Sequence, residues 1–278
     1  MRRALGFLLG ASLILASACR GFPEGASEPQ ARCVVNTGHT GAALGLAFDA
    51  RSGLLFSSGD DGTVRLWDPA QGIQVRKLQV TQLGARQLAV NPAAPQLAVS
   101  VTDGTGSFFL SVWDWEQERQ LYRLPLKEEP LFLRFSAQGT YLVYAESGWQ
   151  SLRILNAHDG TVVPFHPEGF GIVGFAEMSR SEKTLMTYQV SGSISYWDLA
   201  TGQQTLDLPA VAYLSRIRIS SDRRFIVGST GREIVLVDAV TGAAKARAKV
   251  PAVASLDISA AGGEVSAIGA DGRIMRWS

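Results

Sequence analysis

From Leu44 onward, apolar and polar positions alternate with a period of two in short runs: Leu44 to Phe48, Leu54 to Ser57, Val64 to Trp67 and Ile73 to Leu78. This period places successive side chains on opposite faces of an extended chain, and Gly, Pro or Asp between the runs supplies turns, so the set predicts four short antiparallel strands. The set then recurs. A polar residue closes an apolar run at Leu66-Trp67-Asp68, Val112-Trp113-Asp114, Leu155-Asn156, Tyr196-Trp197-Asp198, Val237-Asp238 and Trp277-Ser278, at spacings of 46, 42, 42, 40 and 40 residues. A period near 40 means one supersecondary unit repeated, whose apolar faces are buried by its neighbours. Four residues beyond the first five marks stand Gly72, Glu118, Gly160, Gly202 and Gly242. The pattern Asp/Asn-x-x-x-Gly fits a tight turn in which the side chain bonds back to the backbone and Gly takes a positive φ, with Glu118 as the exception.

The first unit reads Gly38-His39, Leu46-Ala47-Phe48-Asp49, then Ser57 through Asp61-Gly62-Thr63-Val64-Arg65-Leu66-Trp67-Asp68. These residues resemble a WD40 repeat. The resemblance implies a β-propeller and assigns His39, Ser57, Asp61 and Trp67 to a hydrogen-bonded line that braces the blade, a structural role and not a catalytic one. In the fourth unit His166, Thr187, Ser191 and Trp197 stand at the matching places, with Ser where the turn Asp would be. Six marks divide the ~247 residues from position 32 into about 41 each, whereas seven would leave about 35, so the expectation is six blades with seven as the alternative. The chain ends on the third strand of unit six, and a separate strand, Arg32 to Asn36, precedes the first unit. That strand is expected to close the ring as the outer strand of the last blade, removing an unpaired sheet edge.

Ahead of the repeats, Arg2 and Arg3 precede an apolar run from Leu5 to Leu15 and the small residues Ala16-Ser17-Ala18 before Cys19. The run is about half of the ~20 residues a membrane span needs and has the form of an export signal. Small residues followed by Cys resemble the bacterial lipobox, which implies acylation of Cys19 and anchoring to a membrane facing the periplasm or the cell exterior. Ala-Ser-Ala is also an ordinary signal-peptidase site, which would leave a soluble periplasmic or secreted protein. The expected organisation is a signal peptide at 1–18, a flexible tether at 19–31 rich in Gly, Pro, Glu and Ser, and the propeller at 32–278.

Composition narrows the chemistry. With 26 Lys+Arg against 25 Asp+Glu the net charge is +1, so there is no field to gather phosphates and nucleic acid is not expected as a partner. Three His and two Cys leave little material for a metal site, and no cofactor or metal is expected. Asp60 and Asp61 are neighbours in a turn, where side chains diverge, and acid–base catalysis needs convergence. Two sets remain. Alignment of the first strands on Phe48, Val90, Phe135, Phe175, Ile219 and Ile258 puts Ala47, Ala89, Arg134, Gly174, Arg218 and Asp257 in one ring around the axis. Arg218 and Asp257 are then an ion pair beside a water-filled channel, or Arg134 and Arg218 hold an anion. The second set is aromatic. Trp149 replaces the bracing Asp of its turn, and Phe170 and Tyr213 lie in segments leading into blades four and five on the same rim. They either plug gaps between blades or anchor a partner. The expected function is a non-enzymatic scaffold for a protein partner in the cell envelope; the alternative is a periplasmic propeller that binds or turns over a small anion in its channel.

Overall fold

A computed structural model describes residues 38–146, 152–165, 167, 171–208, 214–220, 222–250, 252–259 and 262–278. The signal peptide, the tether with Cys19 and the strand Arg32 to Asn36 lie outside these residues. The described residues form an all-β structure of six sheets in chain order, so the count is six blades and not seven. Blade 1 comprises β1 (Ala43–Asp49), β2 (Leu54–Gly59), β3 (Thr63–Asp68) and β4 (Ile73–Gln79). Blade 2 comprises β5 (Leu83–Val90), β6 (Gln96–Thr102), β7 (Phe108–Asp114) and β8 (Arg119–Leu126). Blade 3 has β9 (Phe132–Phe135), β10 (Tyr141–Ala145) and β11 (Leu152–Asn156), and its fourth place is taken by a segment that meets β11 in one bridge, Leu155 to Val162. Blade 4 comprises β12 (Val173–Met178), β13 (Thr184–Gln189), β14 (Ile194–Asp198) and β15 (Gln204–Leu208). Blade 5 comprises β16 (Ser215–Ile219), β17 (Phe225–Ser229), β18 (Glu233–Asp238) and β19 (Ala244–Lys249). Blade 6 has β20 (Val253–Ile258), β21 (Val265–Gly269) and β22 (Ile274–Trp277), with no described strand beyond β22.

The recurring turns follow from local chemistry. The Asp68 carboxylate accepts the N–H groups of Ala70 and Gln71 while Gly72 N–H donates to the Asp68 carbonyl, and Gly72 sits at φ +66°. Asp198 and Asp238 build the same turn with Gly202 and Gly242. At the exception, Asp114 still caps the turn through the N–H groups of Glu116 and Gln117, and Glu118 is held at φ +54°. A left-handed conformation costs a non-glycine residue about 1–2 kcal/mol, which the surrounding strand pairing must offset.

The core is not central. It is distributed as five apolar layers, each between consecutive blades. Between blades 1 and 2, for example, Phe56, Val64 and Leu66 meet Leu97, Val99 and Trp115, with the Phe56 and Trp115 rings edge to face at 5.3 Å. Among the described residues no sixth layer joins blade 6 to blade 1; Leu46 and Phe48 on β1 are 68% and 59% exposed and Ile274 on β22 is 77% exposed. Among the described residues no helix is long and apolar enough to cross a membrane.

Candidate functional site

Two places bring polar side chains together. The first is inside blade 1. His39 lies just before β1, Ser57 on β2, Asp61 in the β2–β3 turn and Trp67 on β3, and the fold closes them into one line. Asp61 is acceptor-only when ionised, so His39 Nδ1 donates to it at 2.9 Å; Nε2 is then the acceptor for the Ser57 hydroxyl at 2.7 Å. The Trp67 indole N–H donates in turn to Ser57 Oγ at 2.8 Å. Ser57, His39 and Asp61 thus have the order of a hydrolase triad. Ser57 is nevertheless only 4% exposed, with its proton directed to His39 and a lone pair occupied by Trp67, an arrangement that ties three pieces of backbone together.

The sequence did not single out Arg65 for this network. Its buried guanidinium reaches Asp61 at 3.3 Å and donates to Gln74 Oε1 at 2.7 Å, so the turn carboxylate also holds β3 and β4. The available signal was a charge at an inward position of the run from Thr63 to Trp67. Burial alone pushes the Asp61 carboxyl up, but hydrogen bonds from the Thr63 hydroxyl, His39 and the Thr40 and Thr63 N–H groups reverse this and hold it well below the usual carboxylate range.

Blade 4 repeats part of the line. Trp197 donates to Thr187 Oγ1 at 2.9 Å, both side chains being buried. Ser191 does not join it: this residue is exposed at the turn tip, and its hydroxyl meets Ser193 at 2.9 Å, being too short to span the distance Asp61 covers in blade 1. The register also corrects the alignment. Met178 pairs with Leu185 as Phe48 pairs with Leu55, so Met178 and not Phe175 corresponds to Phe48. This removes the spacing that matched His166 to His39; His166 itself lies outside the described residues.

The second place is the central channel, a cavity of about 730 Å³ lined from all six blades. With the register corrected by three residues, the ring level holds Ala47, Ala89, Arg134, Glu177, Arg218 and Asp257, since each faces the same position of its second strand. Glu177 replaces Gly174. Charges alternate around blades 3 to 6, yet the ion pairs are unequal. Glu177 binds Arg134 at 2.9 Å and Arg223 at 3.4 Å, and Arg134 stacks over Phe175 at 4.7 Å. The expected Arg218–Asp257 ion pair does not form within 4.0 Å. The Asp257 carboxylate instead accepts the N–H of Ile258, and Arg218 donates from Nη1 to its neighbour's carbonyl, that of Ile217, at 2.9 Å. Burial and the positive charge of Arg134 push the Arg218 pKa down, with Asp257 opposing them. The aromatic candidates Trp149, Phe170 and Tyr213 lie outside the described residues. Among the described residues no cluster of three His, Cys, Asp or Glu side chains is placed to hold a metal.

Six blades around a lined channel, the first braced by an Asp–His–Ser–Trp line, define a WD40-like β-propeller. Comparison with known proteins refines this class. The chain belongs to the family described as TP_0598_N, N-terminal beta-propeller domain, which it matches over residues 24–261. It is 22% identical over 165 residues to an uncharacterized protein of Treponema pallidum (strain Nichols), a match covering 59% of this chain and 27% of that protein's length. It is also similar to a chain in the crystal structure of the Mitotic Checkpoint Complex, with a TM-score of 0.66 and 15% identity over 84% of this chain and 73% of that one. At that identity the likeness is one of fold.

Proposed function

We propose that this propeller is a non-enzymatic protein-interaction module, exported and held at a membrane of the cell envelope by a lipid on Cys19. The observation that carries the interaction role is the similarity in fold to a chain of a multi-protein complex, a use for which rims built from the loops of independent blades are suited. The commitment of His39, Ser57 and Asp61 to one another supports it, because these groups serve the blade. The address rests on the apolar run before Ala16-Ser17-Ala18 and Cys19. Trp149, with Phe170 and Tyr213, supplies the anchors, since a nearly neutral chain must take its affinity from buried apolar contacts.

Tagged protein captured from detergent-solubilised envelopes, with mass spectrometry of what accompanies it, tests the proposal. Wild type should recover a defined partner, and Trp149→Ala should recover about tenfold less at an unchanged melting temperature. Cys19→Ala should move the protein from the membrane to the soluble fraction. Capture that is unchanged in Trp149→Ala removes that rim from the interface. Membrane retention of Cys19→Ala, with no acylated N-terminal peptide in wild type, removes the anchor.

A further inference from the structure

The walls of the central cavity combine cationic and apolar side chains. Blades 5 and 6 contribute Arg218 and Ser255, and blade 3 contributes Arg134 beside Leu131; with Leu46 and Phe48 of blade 1, Leu131 supplies large apolar side chains left between 45% and 68% exposed. Two guanidinium groups line the cavity and no carboxylate does. They are not equivalent. Arg134 is neutralised by Glu177, which itself is shared with Arg223. Arg218 has no carboxylate within 4.0 Å among the described residues and uses one donor on the Ile217 carbonyl, out of the five that a guanidinium carries. A half-buried cation beside a second cation, with Asp257 near enough to favour it but not in direct contact, gains from an anion that completes it. Burial and the like charge of Arg134 outweigh the opposing charge of Asp257 at Arg218, in agreement with that geometry.

We propose that this cavity binds a small amphiphilic carboxylate, its head on Arg218 and its apolar body against Leu46, Phe48 and Leu131. One guanidinium without a contacting carboxylate matches one carboxylate ligand, which it can engage in a two-point fork. The cavity volume falls within the range of small-ligand sites. An inorganic anion would satisfy Arg218 but leave the apolar wall wet. An uncharged amphiphile would cover that wall and leave Arg218 without its counter-ion.

Equilibrium dialysis of the purified protein at pH 7 against decanoate, decanol and inorganic phosphate separates these cases. Decanoate should saturate at one molecule per chain and bind at least about tenfold more tightly than either decanol or phosphate, a difference of about 1.4 kcal/mol. Arg218→Gln should reduce decanoate to the level of decanol and leave decanol unchanged, while Arg218→Lys, which keeps the charge but loses the fork, should fall between. Equal binding of decanoate and decanol overturns the role of Arg218, as does wild-type affinity in Arg218→Gln. Equal binding of phosphate and decanoate overturns the amphiphilic assignment, and uptake that does not saturate overturns the site. If Arg218→Gln does not fold, the three-ligand comparison on wild type and Arg218→Lys still decides.

Discussion

Asp61 receives five donors, the His39 ring, the Thr40 and Thr63 N–H groups, the Thr63 hydroxyl and the Arg65 guanidinium, so one carboxylate fixes the turn, the segment before β1 and the strand β3. Burial raises the Asp61 pKa, and the bonds from the Thr63 hydroxyl, His39 and the Thr40 and Thr63 N–H groups outweigh it and hold the pKa low. The sign of the pH dependence follows. A carboxyl whose folded pKa lies below its unfolded value, about 3.9, stabilises the fold fully above that value and loses the contribution as pH falls through the folded pKa. The melting temperature of wild type should therefore drop between pH 5 and pH 2. Asp198 and Asp238 are also held low, chiefly by N–H donors of their own turns, and add to the drop. Asp61→Asn should melt lower than wild type at pH 7 but lose less on acidification, so the two curves converge toward pH 2. Parallel curves from pH 5 to pH 2 would show that Asp61 titrates alike in the folded and unfolded chain.

At the scale of elements, blades are joined by apolar faces, and the polar line belongs to a blade's interior. In the corrected register blades 2 to 6 lack the His at the matching place, yet blades 2, 3, 4 and 5 are flanked on both sides by continuous apolar layers. Phe56 and Phe48 lie on adjacent strands of blade 1 and separate the two environments. Phe56 is fully buried against Trp115, so Phe56→Ala should cost about 3–5 kcal/mol; Phe48, 59% exposed, should cost less than about 0.5 kcal/mol on truncation. Urea unfolding of the two variants measures the difference, and comparable losses would mean that Phe48 is covered in solution. Much of this organisation was legible in the sequence because it is local: the alternation in Val64 to Trp67 is β3, and Asp198 to Gly202 is the turn it predicts. The ring at the channel was not legible in blade 4. β12 carries an irregularity between Val173 and Phe175 and presents both Phe175 and Met178 as buried apolar markers, so matching Phe175 to Phe48 displaced Glu177 by three residues. Which carboxylate then neutralises which arginine depends on side-chain reach across blades, which no spacing along the chain encodes.

For the whole molecule, the place where blade 6 approaches blade 1 differs from the five other junctions. β22 has no described strand beyond it, whereas blades 1, 2, 4 and 5 each have a fourth strand. Ile274 on β22 and Leu46 on β1 are exposed among the described residues, and a strand edge left unpaired beside apolar surface would favour pairing with other chains. The expectation from the sequence is that Arg32 to Asn36, the short run Arg-Cys-Val-Val-Asn ahead of the first unit, takes the fourth place in blade 6. Supplying an outer strand from the opposite end of the sequence would make the two termini part of one sheet, and loss of either would loosen all six blades. Deleting residues 32–36 should remove a strand ladder and its packing, on the order of 3 kcal/mol, and lower the melting temperature by about 6–12 °C for a chain of this size. Deleting Gly21 to Gln30, which carries no strand pattern, should leave it within about 2 °C of wild type. The first variant should also self-associate on gel filtration, because its β22 edge stays open, while the second should elute as wild type does. Equal melting temperatures and equal elution for the two deletions would show that residues 32–36 do not complete blade 6.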